Sequence, residues 1–113
     1  MIDPNLDDAK AVISDWAELN PIIQRVYIFG SRLRGTDRLG QPVKAGADID
    51  IAVELTHENP DHAWSEYGLI NDHWRTELGH VLPWPVDLEW FHPEATHHLI
   101  GYLEDCSVVV FER

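Results

Sequence analysis

With one cysteine, Cys106, the 113-residue chain cannot close an internal disulfide or build a cysteine-based metal site, and it is expected in the cytoplasm. No apolar run approaches the ~18 residues that span a bilayer, so no membrane-crossing segment is expected. The start, Met1 to Asp8, is acidic and lacks an apolar stretch, so no secretory leader is expected either. Positive charge is scarce: 8 Lys and Arg stand against 20 Asp and Glu, a formal net charge of -12. That balance disfavours extensive nucleic-acid binding, which works by basic side chains displacing counterions. Internal repeats, low-complexity tracts and linkers are also missing, so residues 1–113 read as a single domain.

What is present is an ordinary globular composition, 44% hydrophobic and 25% charged. The few cations are unevenly placed. Arg25, Arg32, Arg34, Arg38 and Lys44 put five of the eight within twenty positions. A local basic segment on an acidic protein points to a confined anionic ligand or an acidic partner surface; a solvated loop with chance Arg content is the plain alternative.

The elements follow from periodicity and punctuation. After Asp3-Pro4, the residues Leu6, Ala9, Val12, Ile13, Trp16 and Leu19 recur at helical spacing up to Asn20-Pro21. Val26 to Phe29 is a short β-prone run that stops at Gly30-Ser31, where a short helix is expected. Thr36 to Ala47 read as a loop or hairpin. Asp48 to Leu55 opens with strict alternation and reads as a strand. A helix over Pro60 to Leu78 is expected to bury Trp64, Tyr67 or Leu69, Ile70, Trp74 and Leu78. Val86 to Phe91 is a third strand, His92-Pro93 is expected to open a helix carrying His97, Ile100 and Leu103, and Cys106 to Phe111 suits a fourth strand. The order predicts an α/β (α+β) fold: helices packed on a small mixed sheet of about four strands.

Three polar features interrupt this apolar pattern. Gly30-Ser31 follows a strand, where a glycine lets backbone approach a ligand and a serine hydroxyl can donate to a phosphate oxygen. Arg32 and Arg34 beside it can neutralise phosphate charge. Asp48 and Asp50 are two residues apart on a strand, so both point to one face with backbones roughly 6.8 Å apart. Carboxylates so placed repel unless a cation sits between them, and hard divalent cations prefer such oxygens. Asp87 is a charge inside the apolar run Val86-Asp87-Leu88, with an outward-facing edge position as its plain alternative. Glu89, two residues on, shares its strand face.

Taken together, Tyr27-Ile28-Phe29-Gly30-Ser31-Arg32-Leu33-Arg34-Gly35, Ala47-Asp48-Ile49-Asp50-Ile51-Ala52-Val53 and Pro85-Val86-Asp87-Leu88 resemble the minimal nucleotidyltransferases of the DNA polymerase beta-like superfamily. The resemblance covers about residues 8 to 91. It implies a polymerase beta-like fold in which Gly30 and Ser31, with Arg32 and Arg34, hold the phosphates of ATP. It also implies two ions, Mg2+ or Mn2+, on Asp48, Asp50 and Asp87, so that nucleoside monophosphate passes to an acceptor hydroxyl. Stand-alone domains similar to this one are often antitoxins that adenylylate a tyrosine of a HEPN-type toxin, which implies such a protein as partner. Two alternatives stand beside this: an antitoxin that binds its partner without catalysis, and transfer to a small molecule. The stretch Leu39 to Lys44 makes the Ser31–Asp48 connection longer than compact members of the family have. Lys44 there is read as a solvated loop charge in preference to a phosphate contact. The histidine pairs His57/His62 and His97/His98 lack the spacing of a zinc site. Trp64, Trp74, Trp84 and Trp90 read as core or partner interface, and Cys106 as a small buried hydrophobe.

Overall fold

A computed structural model describes residues 6–37, 39–44 and 46–113. The Asp3-Pro4 helix start and Arg38 lie outside the described residues. The chain runs through α1 (Leu6–Glu18), β1 (Ile23–Phe29), α2 (Ser31–Arg34), β2 (Ile49–Leu55), α3 (Pro60–Val81), β3 (Val86–Phe91), α4 (His97–Asp105) and β4 (Ser107–Glu112). The four strands form one mixed sheet in the order β3-β2-β1-β4, antiparallel except for the parallel pair β2 and β3. This is the expected mixed α+β architecture. Among the described residues no helix is long and apolar enough to cross a membrane.

Strand alternation gives the sheet two different faces. Val26, Ile28, Ile49, Ile51, Val53 and Leu88 point to one side and are buried with α1 and α3 in the main core. α1 brings Leu6, Ala9, Ile13, Trp16 and Ala17 to it at helical spacing, and α3 brings Ala63, Tyr67, Trp74 and Leu78. The two helices are tied together where Trp74 Nε1 donates to Asn20 Oδ1 at 3.1 Å and the Trp16 and Trp74 rings meet edge to face. α3 starts where it does because the Asn59 side chain accepts from the N–H groups of Asp61 and His62, with Pro60 in the first turn.

The other face carries a smaller cluster, Phe29, Ala52, Phe91 and Leu99, with Tyr27, Ile100 and Leu103 packed on it. It anchors α4. Only part of this face is covered, and the uncovered part, at the ends of β1, β2 and β3, is polar.

Several expectations need correction. β1 begins at Ile23, earlier than its apolar run, because Arg25 pairs with Glu54 of β2 and Glu112 of β4, at 2.9 and 3.2 Å. β2 begins at Ile49, leaving Asp48 one residue before it. α4 begins at His97 instead of His92-Pro93. Residues 92–96 close a turn of their own, in which Thr96 N and Ala95 N donate to the His92 carbonyl and His92 N donates to Thr96 Oγ1. On α3 the structure chooses Tyr67 over Leu69 for the core, and Trp64 is 57% exposed. Among the described residues between α2 and β2, an isolated bridge joins Thr36 and Pro42 within the loop expected there.

Candidate active site

The sheet register assembles the polar end. Phe29 is the Cα partner of Asp50 across β1 and β2, and Asp50 is the Cα partner of Asp87 across β2 and β3. Neighbouring strands lie about 4.8 Å apart, so the two carboxylates stand side by side on the face that the main core leaves free. Burial first, then a side-chain hydrogen bond with Asp87 and the charges of Asp87, Asp48 and Glu89, push Asp50 up to about 7. Burial and Asp87 likewise raise Glu89 above the usual carboxylate range.

At the end of β1 the chain turns sharply. Gly30 has φ 81° and ψ -158°, a region that essentially only glycine occupies. A Cβ built there would collide with Oδ2 of Asp50. Backbone and carboxylate are therefore in direct contact, and α2 follows at once with Ser31. The position of Asp87 is braced from behind. Tyr67 Oη and Arg75 Nη2 of α3 each donate to the carbonyl of Leu88 at 3.2 Å, fixing the outer edge of β3 between Asp87 and Glu89.

Gly30, Ser31, Asp50, Asp87 and Glu89 line one cleft of about 630 Å3, together with Phe29, Arg34, His98, Leu99, Tyr102 and Asp105. The volume falls within the roughly 300–1,000 Å3 usual for small-molecule sites. Gly30, Ser31, Arg34, Asp50 and Asp87 of the expected set thus meet in one cavity, and Glu89 joins them. Asp48 is exposed and does not line the cleft, although its charge is felt by Asp50.

Arg32 has a different setting. Its side chain is 5% exposed, donates to the carbonyls of Ala47 and Lys44, and lies over the Trp84 ring with 4.5 Å from guanidinium carbon to ring centroid. It holds the approach to β2 in place instead of lining the cleft. The basic segment of the sequence is thus dispersed by folding. Arg25 sits in ion pairs with Glu54 and Glu112, Lys44 is exposed on the loop, and Arg34 reaches the cleft. Arg34 donates to Thr36 O at 3.1 Å and lies 3.5 Å from Asp105.

Sequence reasoning missed the wall made by α4. His98, Tyr102 and Asp105 recur at i, i+4 and i+7, which puts them along one side of the helix, and all three line the cleft. That spacing was available as a signal, but only the sheet contact of Leu99 tells which side faces the site.

Among the described residues no group of three or more His, Cys, Asp or Glu is arranged to hold a metal ion. The donor chemistry of the cleft nevertheless fits a hard divalent cation: two adjacent carboxylates, one of them raised to about 7 by burial and then by its acidic neighbours, are what a cation between them would relieve.

The family model described as "Nucleotidyltransferase domain" matches residues 9–110, and the chain belongs to that family. Comparison with curated proteins gives no match. Among solved structures, the chain is similar to one from the complex of tri-AMPylated Shewanella oneidensis HEPN toxin with MNT antitoxin. The TM-score is 0.59 and the identity 20%, over 95% of this chain and 72% of that one. At that identity the likeness is one of fold.

Proposed function

We propose that this protein transfers a nucleoside monophosphate, AMP from ATP, to a hydroxyl group of a protein partner, and that the partner is a HEPN-type toxin which the modification neutralises. The observation that carries this reading is the joining of Gly30-Ser31 to the Asp50–Asp87 carboxylate pair within one nucleotide-sized cleft. The family assignment and the toxin–antitoxin complex of similar fold support it.

In this reading Gly30 and Ser31 receive the outer phosphates, the Ser31 hydroxyl donating to a phosphate oxygen and Arg34 offsetting charge. Asp50 and Asp87 would hold Mg2+, with Asp48 as the neighbouring carboxylate. A bound divalent ion supplies charge neutralisation at the phosphates and acidifies a coordinated hydroxyl. The bond from the α-phosphorus to the bridging oxygen breaks, pyrophosphate leaves, and a new bond forms to the acceptor oxygen, whose proton passes to solvent water. The chain's own task is to hold the reacting groups in line. A net charge of -12 suits fast, salt-sensitive association with a basic partner surface.

The test is to incubate the protein with a co-expressed HEPN-type toxin, ATP and Mg2+ and to weigh the toxin. Gain of one or more nucleoside monophosphates, lost in Asp87→Asn, is expected. Ser31→Ala is expected to weaken ATP binding by about 1–2 kcal/mol, one hydrogen bond to a charged group, read by calorimetry.

The position of Asp48 outside the cleft wall favours a second reading, inhibition by binding alone. Separating the pair under denaturing conditions and refolding the toxin decides between them. A toxin that regains full nuclease activity without added mass leaves only the binding reading.

A further inference from the structure

The cleft has two chemically different halves. One is the phosphate and carboxylate half, made by Gly30, Ser31, Asp50 and Asp87. The other is the side of α4 that presents His98, Tyr102 and Asp105. α4 is held on the sheet by Leu99, 3% exposed and packed with Phe29, Ala52 and Phe91, so its cleft-facing side is fixed relative to the carboxylates. Phe29, the other aromatic carbocycle lining the cavity, is 7% exposed, whereas Tyr102 is 52% exposed. Tyr102 is therefore the more open of the two aromatic carbocycles in the cavity lining. Asp105 is drawn to Arg34, and His98 lines the cleft together with Glu89. The ring of Tyr102 thus stands between two polar positions on the same helix side.

We propose that this side of α4 is the nucleoside wall of the cleft, with the Tyr102 ring stacking on the base of the triphosphate. The inference rests on the nucleotidyl-transfer reading above and adds to it the half of the substrate that the phosphate and carboxylate residues do not touch. A flat, half-exposed ring in the lining of a nucleotide-sized cavity offers what a base requires: an apolar face with a π surface. Stacking of this kind tolerates different bases, so Tyr102 contributes affinity for the nucleoside more than choice among bases. Tyr102 is a binding residue in this scheme and takes no part in proton transfer.

Calorimetric titration of the full chain in Mg2+ with two probes, ATP and inorganic tripolyphosphate, separates the halves. In the wild type, ATP is expected to bind about tenfold more tightly than tripolyphosphate, the scale of one base–aromatic stack. Tyr102→Ala is expected to lower ATP affinity about tenfold and leave tripolyphosphate unchanged, while Tyr102→Phe keeps wild-type affinity for both. Tyr102 is half-exposed, so the alanine variant is expected to fold, and unchanged tripolyphosphate binding confirms it. If both probes bind and Tyr102→Ala leaves ATP affinity unchanged, the nucleoside wall is elsewhere and this inference alone is overturned. If the wild type binds neither probe, the nucleotidyl-transfer reading is overturned and this inference with it.

Discussion

Asp50→Asn is expected to raise the melting temperature of the metal-free protein while reducing nucleotidyl transfer by about a hundred- to a thousandfold, the scale of losing one preorganised charge-stabilising group. The two effects have one cause. Asp50 is raised from 3.8 to about 7 by burial first, then by the hydrogen bond and charge of Asp87 and by Asp48 and Glu89. A carboxyl whose folded-state pKa is raised favours the fold while it is protonated. Its contribution is fully present below about pH 4 and is lost as pH rises through about 7. At pH 8 the metal-free wild type therefore carries an ionised Asp50 beside Asp87, and asparagine removes that repulsion. The site is partly open to solvent, so screening leaves about 1–2 kcal/mol, or about 5 °C for a domain of this size. Melting in chelator at pH 8 and at pH 4 checks the sign: a gain at pH 8 that disappears at pH 4 is expected. Added Mg2+ should stabilise the wild type and not the variant. A variant that melts at or below the wild type at pH 8 would show that the carboxylates are not in conflict in the folded chain.

The parts of this site that the sequence made legible are those written locally. The run Val26-Tyr27-Ile28-Phe29 followed by Gly30-Ser31 marks a buried strand and the sharp turn after it, because both depend on neighbouring residues only. The alternation Ile49-Asp50-Ile51 likewise tells which side of β2 is core. What it does not tell is which residue faces Asp50 across the sheet. The i, i+2 spacing brought Asp48 forward, whereas the register of the parallel pair sets Asp87 beside Asp50, and register is a property of two segments. The same limit explains Arg32. Its place in the chain puts it with the Gly30-Ser31 turn, but Trp84, fifty-two positions on, supplies the ring it covers. The sequence places the start of α4 five residues early because His92-Pro93 looks like a helix start, while the Thr96 hydroxyl and the His92 backbone close a turn that competes with it. Trp64 and Leu69 sit near the buried face in helical projection, yet α3 has only one strip in contact with the sheet and Tyr67 takes it.

Gly30→Ala is expected to be the most damaging single-methyl change in the chain, and Gly35 provides its internal control. Both glycines have positive φ, 81° and 85°. At Gly35, in the left-handed helical region, an added Cβ meets nothing within 4 Å, so Gly35→Ala bears backbone strain alone, about 1 kcal/mol. At Gly30 two further costs apply. Its ψ of -158° places it where side chains are essentially excluded, about 1–3 kcal/mol. The new methyl also runs into Oδ2 and Cγ of Asp50, so that carboxylate must shift to admit it. A total of about 2–4 kcal/mol corresponds to a melting temperature lowered by about 10 °C or more. Triphosphate binding is expected to go with it, since the turn that carries Ser31 must shift. The collision can be isolated by a double-mutant cycle. Asp50→Ala removes the carboxylate and leaves a Cβ at 3.4 Å from the new methyl, an ordinary contact. The double variant Gly30→Ala/Asp50→Ala is therefore expected to be more stable than the sum of its single changes predicts, by about 1 kcal/mol or more. Additive effects, or a Gly30→Ala variant no less stable than Gly35→Ala, would mean that the turn does not press on Asp50, and the contact joining the Gly30-Ser31 turn to the carboxylates would have to be abandoned.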